Sequence, residues 1–158
     1  MSALDIKLMK TQHSGHAYQI CKNQIKVGEY DGIIFISGDG LIHEGINGIM
    51  SREDKNEFME QTTFGFIPAG TSNGLIKSIL DHNGEQADPK TAAFRIVKGT
   101  SMKIDLTELE LEYEKERKFM VLSFTWAIIC ACDLQSEFMR FLGEVRYTLM
   151  GIIRVVAR

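Results

Sequence analysis

The sequence predicts an α/β fold: a parallel sheet with helical crossovers, followed by the start of a β-rich second domain. Three observations carry this reading. Strand and helix signals alternate from the N-terminus to about residue 99. Two short apolar strands each end in a glycine turn that opens an amphipathic helix. After Thr100 the pattern becomes that of an antiparallel hairpin. The expected domains are 1–99 and 100–158, the second of them incomplete.

The elements follow in order. Leu4, Ile6 and Leu8 alternate with Asp5 and Lys7, the pattern of a half-buried strand, and Ala17, Ile20, Cys21 and Ile25 recur at helical spacing. The continuous apolar run Ile33-Ile34-Phe35-Ile36 predicts a central parallel strand covered on both faces. Leu41, Ile42, Ile46, Ile49 and Met50 form the apolar side of a helix. Phe64-Gly65-Phe66-Ile67 is a second strand stopped by Pro68, and Leu75, Ile76, Ile79 and Leu80 mark the next helix. Asp88-Pro89 is an N-cap with proline in the first helical position; Ala92, Ala93, Ile96 and Val97 follow, and Gly99 stops the helix. The βαβα order calls for right-handed crossovers. Beyond it, Met102, Ile104 and Leu106 alternate, then Leu109, Leu111 and Tyr113, with a charged turn at Glu114-Lys115-Glu116-Arg117 leading into Phe119-Met120-Val121-Leu122. Residues 134–158 read as helical with a break at Gly143.

Composition narrows the function classes. A net charge of −3 does not favour nucleic acid as a partner. The start Met1-Ser2-Ala3-Leu4-Asp5 lacks the basic and apolar regions of a signal peptide, and the apolar run from Phe119 to Cys132 is too short and interrupted to span a bilayer. Three cysteines, Cys21, Cys130 and Cys132, form no disulfide framework, which fits a reducing cytoplasm. Cys130 and Cys132 have no second Cys/His pair at metal-ligand spacing and are expected buried on a strand.

Chemistry is expected at the two glycine turns, Ser37-Gly38-Asp39-Gly40 and Pro68-Ala69-Gly70-Thr71-Ser72-Asn73. At such a turn, backbone N–H groups and the positive end of the following helix dipole face an anion. Two in one α/β unit point to a nucleotide. The lone acid Asp39 points to catalysis as well as binding; its alternative is a turn-forming aspartate with a solvated carboxylate. Gly38 and Gly40 allow close backbone approach. Thr71 or Ser72 could instead be an ordinary helix N-cap. Glu44 could orient the first turn or be a solvated helix glutamate.

These residues resemble a known family. Ser37-Gly38-Asp39-Gly40-Leu41-Ile42-His43-Glu44 with Asn47-Gly48, and Pro68-Ala69-Gly70-Thr71-Ser72-Asn73, are similar to two signatures of the diacylglycerol kinase catalytic domain superfamily. Ser123-Phe124-Thr125-Trp126-Ala127, Asp133-Leu134-Gln135-Ser136-Glu137 and Arg140 through Leu149 resemble its sphingosine kinase branch. The resemblance implies a nucleotide-binding domain of the lipid kinase/NAD kinase type, using ATP and Mg²⁺ to phosphorylate the primary hydroxyl of a sphingoid base. It implies Asp39 as general base. Ser37, Gly38, Gly40, Gly70, Thr71, Ser72 and Asn73 would face the nucleotide, Arg140 and Arg146 its phosphates, and Thr11 the adenine. Asp133 would hold the lipid head group; its alternative is a helix N-cap before Leu134. Peripheral contact with a membrane follows from a lipid substrate.

The sequence departs from the family in places. The family's first strand and its Asn-Pro turn fall before Met1, and its β-rich domain continues beyond Arg158. Thr125, Ala127 and Cys130-Ala131-Cys132 alter the stretch before Asp133. Little or no activity is therefore expected of the 158 residues alone. A diacylglycerol or ceramide kinase, a nicotinamide-dinucleotide kinase, and a truncated nucleotide- or lipid-binding product are the alternatives.

Overall fold

A computed structural model describes residues 4–110, 112, 117–125, 127–143 and 145–156. The elements run α1 (His16–Gln19), a π-helical turn (Ile20–Gln24), β1 (Gly32–Ser37), α2 (Asp39–Met50), α3 (Lys55–Gln61), β2 (Thr63–Pro68), α4 (Gly74–His82) and α5 (Pro89–Lys98). There follow β3 (Thr107–Leu109), β4 (Lys118–Met120), α6 (Ala127–Gln135), a 3₁₀ stretch (Glu137–Leu142) and α7 (Val145–Val156). β1 and β2 pair in parallel, from Gly32 opposite Thr63 to Ser37 opposite Pro68. β3 and β4 form an antiparallel hairpin.

The core lies where α2 crosses the parallel strands. Ile42, Ile46 and Ile49 pack with Ile20, Cys21, Phe35, Phe66, Leu75, Ile76 and Leu80. Gly45 makes this approach possible: a Cβ there would lie 2.4 Å from the Phe35 ring. At Gly48 a Cβ would lie 2.4 Å from the Tyr18 carbonyl oxygen, so α2 is pressed equally close to α1. Arg52, just past α2, donates from Nη1 to the carbonyls of Cys21, Lys22 and Ile25 at 3.0, 3.0 and 2.8 Å. It thereby closes the carbonyl end of the π-helical turn, while Asp54 holds its other edge. α5 is capped as its sequence predicts: Asp88 accepts from the N–H groups of Lys90 and Thr91, and Gly99 ends the helix at φ 71°. Gly143, at φ 60°, breaks the C-terminal helical region as expected.

Four expectations are corrected. Residues 4–8 form no strand, and Leu4, Ile6 and Leu8 are exposed; their alternation supplies an apolar face, but no neighbouring strand pairs with it. β1 is not covered on both faces. Phe35 is buried under α2, whereas Ile34 and Ile36 remain 41% and 57% exposed; beside them, Ile96 of α5 lies against Gly65 of β2. Met102 and Ile104 lie exposed outside any strand, and pairing begins only at Thr107. Cys130 and Cys132 are half-buried on a helix, α6, rather than buried on a strand. Leu111, Tyr113 and residues 114–116 of the expected turn lie outside the described residues.

Two features were not foreseen. α3 is a short, mostly polar helix pinned by Phe58, which is 0% exposed. The β3–β4 hairpin is fastened to α2 by one side chain: the Asn47 amide donates to the Phe119 carbonyl and accepts from the Phe119 N–H, both at 2.8 Å. Asn47 thus supplies β4 with the donor–acceptor pair that a neighbouring strand residue would supply. No helix among the described residues is long and apolar enough to cross a membrane.

Two predictions test this packing. Phe58→Ala is expected to destabilise the protein by about 3–5 kcal/mol in urea unfolding; an unchanged midpoint would contradict the burial of α3. Burial pushes the Cys21 thiol up to about 11. Its thiol therefore stays protonated in the folded protein at pH 8, and iodoacetamide should modify Cys21 only after unfolding. Native-state labelling followed by peptide mapping reads this directly.

Candidate functional site

β1 and β2 end level with one another, so their glycine turns emerge side by side. The turns touch backbone to backbone. A Cβ on Gly70 would lie 2.4 Å from Gly38 Cα and 2.8 Å from Gly38 N; one on Gly38 would lie 3.2 Å from Gly70 Cα. The Ala69 N–H donates to the Ser37 carbonyl at 3.1 Å, joining the turns at their base. The second turn is braced internally: the Gly70 N–H donates to Asn73 Oδ1 at 3.0 Å, and Asn73 Nδ2 returns a bond to the Gly70 carbonyl at 2.9 Å.

Asp39 is the first residue of α2, yet its carboxylate caps a different helix. Oδ2 accepts from the Gly74 N–H at 2.8 Å and Oδ1 from the Leu75 N–H at 3.1 Å. The residue at the N-cap position of α4, Asn73, makes no side-chain cap, so neither Thr71 nor Ser72 serves that purpose. A carboxylate from the first turn satisfies the N-terminal donors of the helix after the second. α2 differs: its N-cap Gly38 has no side chain to bond, and Gly40 has nothing within 4 Å of the position its Cβ would take. The open, anion-attracting end is that of α2, and the end of α4 is already occupied by Asp39.

The structure brings other predicted residues to this place unequally. Ser37, Gly38, Gly40, Gly70, Thr71, Ser72 and Asn73 all lie on the two turns. Arg146 is joined to them indirectly. Ser72 Oγ lies 3.0 Å from the Tyr147 hydroxyl, which accepts from Arg146 Nη2 at 2.6 Å. Arg146 is 4% exposed; its guanidinium stacks on the Tyr147 ring, donates to the Ser136 carbonyl at 3.4 Å and lies 3.6 Å from Glu137. Thr11 is half-buried in the coil before α1, and no hydrogen bond joins it to either turn. Glu44 accepts from Ser14 Oγ at 3.3 Å. The side chains of Asp133 and Arg140 lie outside the described residues; the backbone places Asp133 within α6, not at its N-cap, and Arg140 in the 3₁₀ stretch.

Sequence reasoning gave no role to two residues that lie within its motifs, Asn47 and Tyr147. Asn47 had a readable signal, a polar side chain within the apolar stripe of α2. Tyr147 had none, because its role arises from a contact 75 residues away.

The arrangement defines an α/β domain with paired strand-end turns, one presenting an open helix N-terminus and a carboxylate beside it. The chain belongs to the diacylglycerol kinase catalytic domain family, whose pattern matches residues 2–109. It is 31% identical over 153 residues to "Sphingosine kinase 1" of Arabidopsis thaliana, covering 97% of this chain and 31% of that protein. It is 31% identical over 157 residues to "Sphingosine kinase 2" of Homo sapiens, covering 96% of this chain and 24% of that one. Against "Sphingoid long chain base kinase 4" of Schizosaccharomyces pombe, identity is 34% over 149 residues, covering 94% of this chain and 31% of that protein. The chain thus spans about a quarter to a third of the length of these relatives.

The contact between the turns makes a paired prediction. Gly70→Ala should destabilise the protein by about 1–3 kcal/mol, because the new methyl meets backbone that cannot swing aside. Gly40→Ala, facing open space, should leave the unfolding midpoint unchanged or slightly raised. Equal midpoints for the two variants would contradict the packing of the turns.

Proposed function

We propose that the chain carries the nucleotide side of an ATP-dependent lipid kinase that phosphorylates the primary hydroxyl of a sphingoid base. The observation that carries this reading is the Asp39 carboxylate, fixed between two glycine turns beside the open N-terminus of α2. The sphingosine and sphingoid-base kinase relatives support the choice of lipid. Residues 1–99 form the nucleotide-binding domain in this reading, and 100–158 begin a β-rich, lipid-facing one. The β3–β4 hairpin supports that division.

The chemistry follows from the geometry. The N-terminal N–H groups of α2 bind phosphate oxygens, and Gly40 leaves room for them. Each Asp39 oxygen accepts one N–H bond and keeps acceptor capacity for the hydroxyl proton of the attacking alcohol. The two N–H bonds hold the carboxylate's orientation while it does so. Mg²⁺, when bound, would supply neutralisation of the charge on the transferring phosphoryl group. Among the described residues no three His, Cys, Asp or Glu side chains cluster into a dedicated metal cage. Mg²⁺ would then be held chiefly by the ATP phosphates and water, which leaves the Asp39 carboxylate to the substrate hydroxyl. Asp133 would hold the ammonium and hydroxyls of the sphingoid head group. A lipid acceptor would be collected from a membrane surface by peripheral contact on the cytoplasmic side.

The test is transfer from Mg²⁺–ATP by the polypeptide carrying this sequence, with sphingosine, diacylglycerol and ceramide as competing acceptors. Sphingosine should be preferred, and Asp39→Asn should lower turnover about 10²–10⁴-fold. Retention of most activity by Asp39→Asn would remove it as the base. Preference for diacylglycerol or ceramide would refute the sphingoid assignment, and ATP binding without transfer would leave a non-catalytic nucleotide-binding module.

A further inference from the structure

We propose that Tyr147 is a positioning residue that projects the buried charge of Arg146 onto the second glycine turn. The inference rests on the nucleotide reading above and adds a route by which α7 acts on the phosphates. Arg146 cannot reach outward in the described arrangement. The residue is 4% exposed, and its guanidinium is committed to Ser136, Glu137 and the Tyr147 hydroxyl. Ser72, in contrast, is half-exposed on the turn itself.

The direction of the hydrogen bonds follows from the chemistry of the groups. A guanidinium only donates, so the Tyr147 oxygen accepts from Arg146 Nη2 at 2.6 Å, a length typical of a charge-assisted bond. The phenol proton is then free to point at Ser72 Oγ, 3.0 Å away. Ser72 accepts, and its own hydroxyl proton is left to face outward from the turn. The chain Arg146 → Tyr147 → Ser72 ends in a donor polarised by a cation, the polarity that a phosphate oxygen requires. Tyr147 also joins α7 to the turn, so the donor's position depends on a helix outside the parallel-sheet unit. Phenylalanine at 147 would keep the ring and break both bonds.

The measurement is binding of ATP and, separately, of adenosine, by isothermal titration of the polypeptide carrying this sequence, for wild type, Tyr147→Phe, Ser72→Ala and the double variant. Tyr147→Phe and Ser72→Ala should each weaken ATP about tenfold, as expected for loss of a hydrogen bond to a charged group. The double variant should be no weaker than the worse single one, because both cut the same chain. Adenosine, lacking phosphates, should bind all four proteins alike. Equal losses for ATP and adenosine would make Tyr147 merely structural and overturn the proposal. So would additive losses, or wild-type ATP affinity in Tyr147→Phe. Wild-type protein that binds neither ligand would instead overturn the nucleotide reading, and the relay with it.

Discussion

The Asp39 carboxylate joins two helices that the chain builds separately. It starts α2 and caps α4, so the strand–turn–helix units that begin at β1 and β2 meet at one side chain. The geometry depends on what lies beneath. Parallel pairing ends both strands at one level, and two glycines let the turns touch without an intervening Cβ. A side chain at residue 70 would push the N-terminus of α4 away from the carboxylate that caps it. The catalytic candidate is thus also a structural keystone, and its orientation is set by the fold before any substrate arrives.

That dual role bears on reactivity. A general base gains from a fixed position, because misplacement by an ångström costs rate. Solvent-exposed turns hold side chains loosely. Here two backbone N–H groups of α4 supply the rigidity. The same bonds divide labour between the turns. One leaves its helix end open, and the other has its helix end capped by the Asp39 carboxylate.

Much of the frame was legible in the sequence. β1, α2, β2 and α4 follow from apolar runs and helical spacing, and α5 from Asp88, Pro89 and Gly99, which act as their types dictate. Three of the misreadings share one cause: periodicity reports which face is apolar, not whether a neighbour covers it; the fourth, Cys130 and Cys132, is a continuous apolar run that forms a helix, α6, instead of a strand. Leu4, Ile6 and Leu8 alternate as a strand would, as do Met102 and Ile104, yet no strand among the described residues pairs with them and they stay exposed. α3 escaped notice because Lys55–Gln61 has little apolar periodicity and is held by Phe58 alone among its buried residues. At the site, the motif residues of the turns were legible by type and spacing. The capping of α4 by Asp39 and the bridge through Tyr147 were not, since both are tertiary contacts between segments distant in the chain.

The clasp made by Arg52 has a topological side. By holding the carbonyls of Cys21, Lys22 and Ile25 with one guanidinium nitrogen, it turns the chain between them, β1 and α2 included, into a closed loop. The entropic cost of closing a loop rises only with the logarithm of its length. Residues added to the exposed connection at Gly28–Glu29 therefore lengthen the loop at little cost. Residues removed there would shorten the tether between the clasp and β1 and draw Ser37 back from its level with Pro68. Drift in the length of this connection is thus tolerated in one direction only.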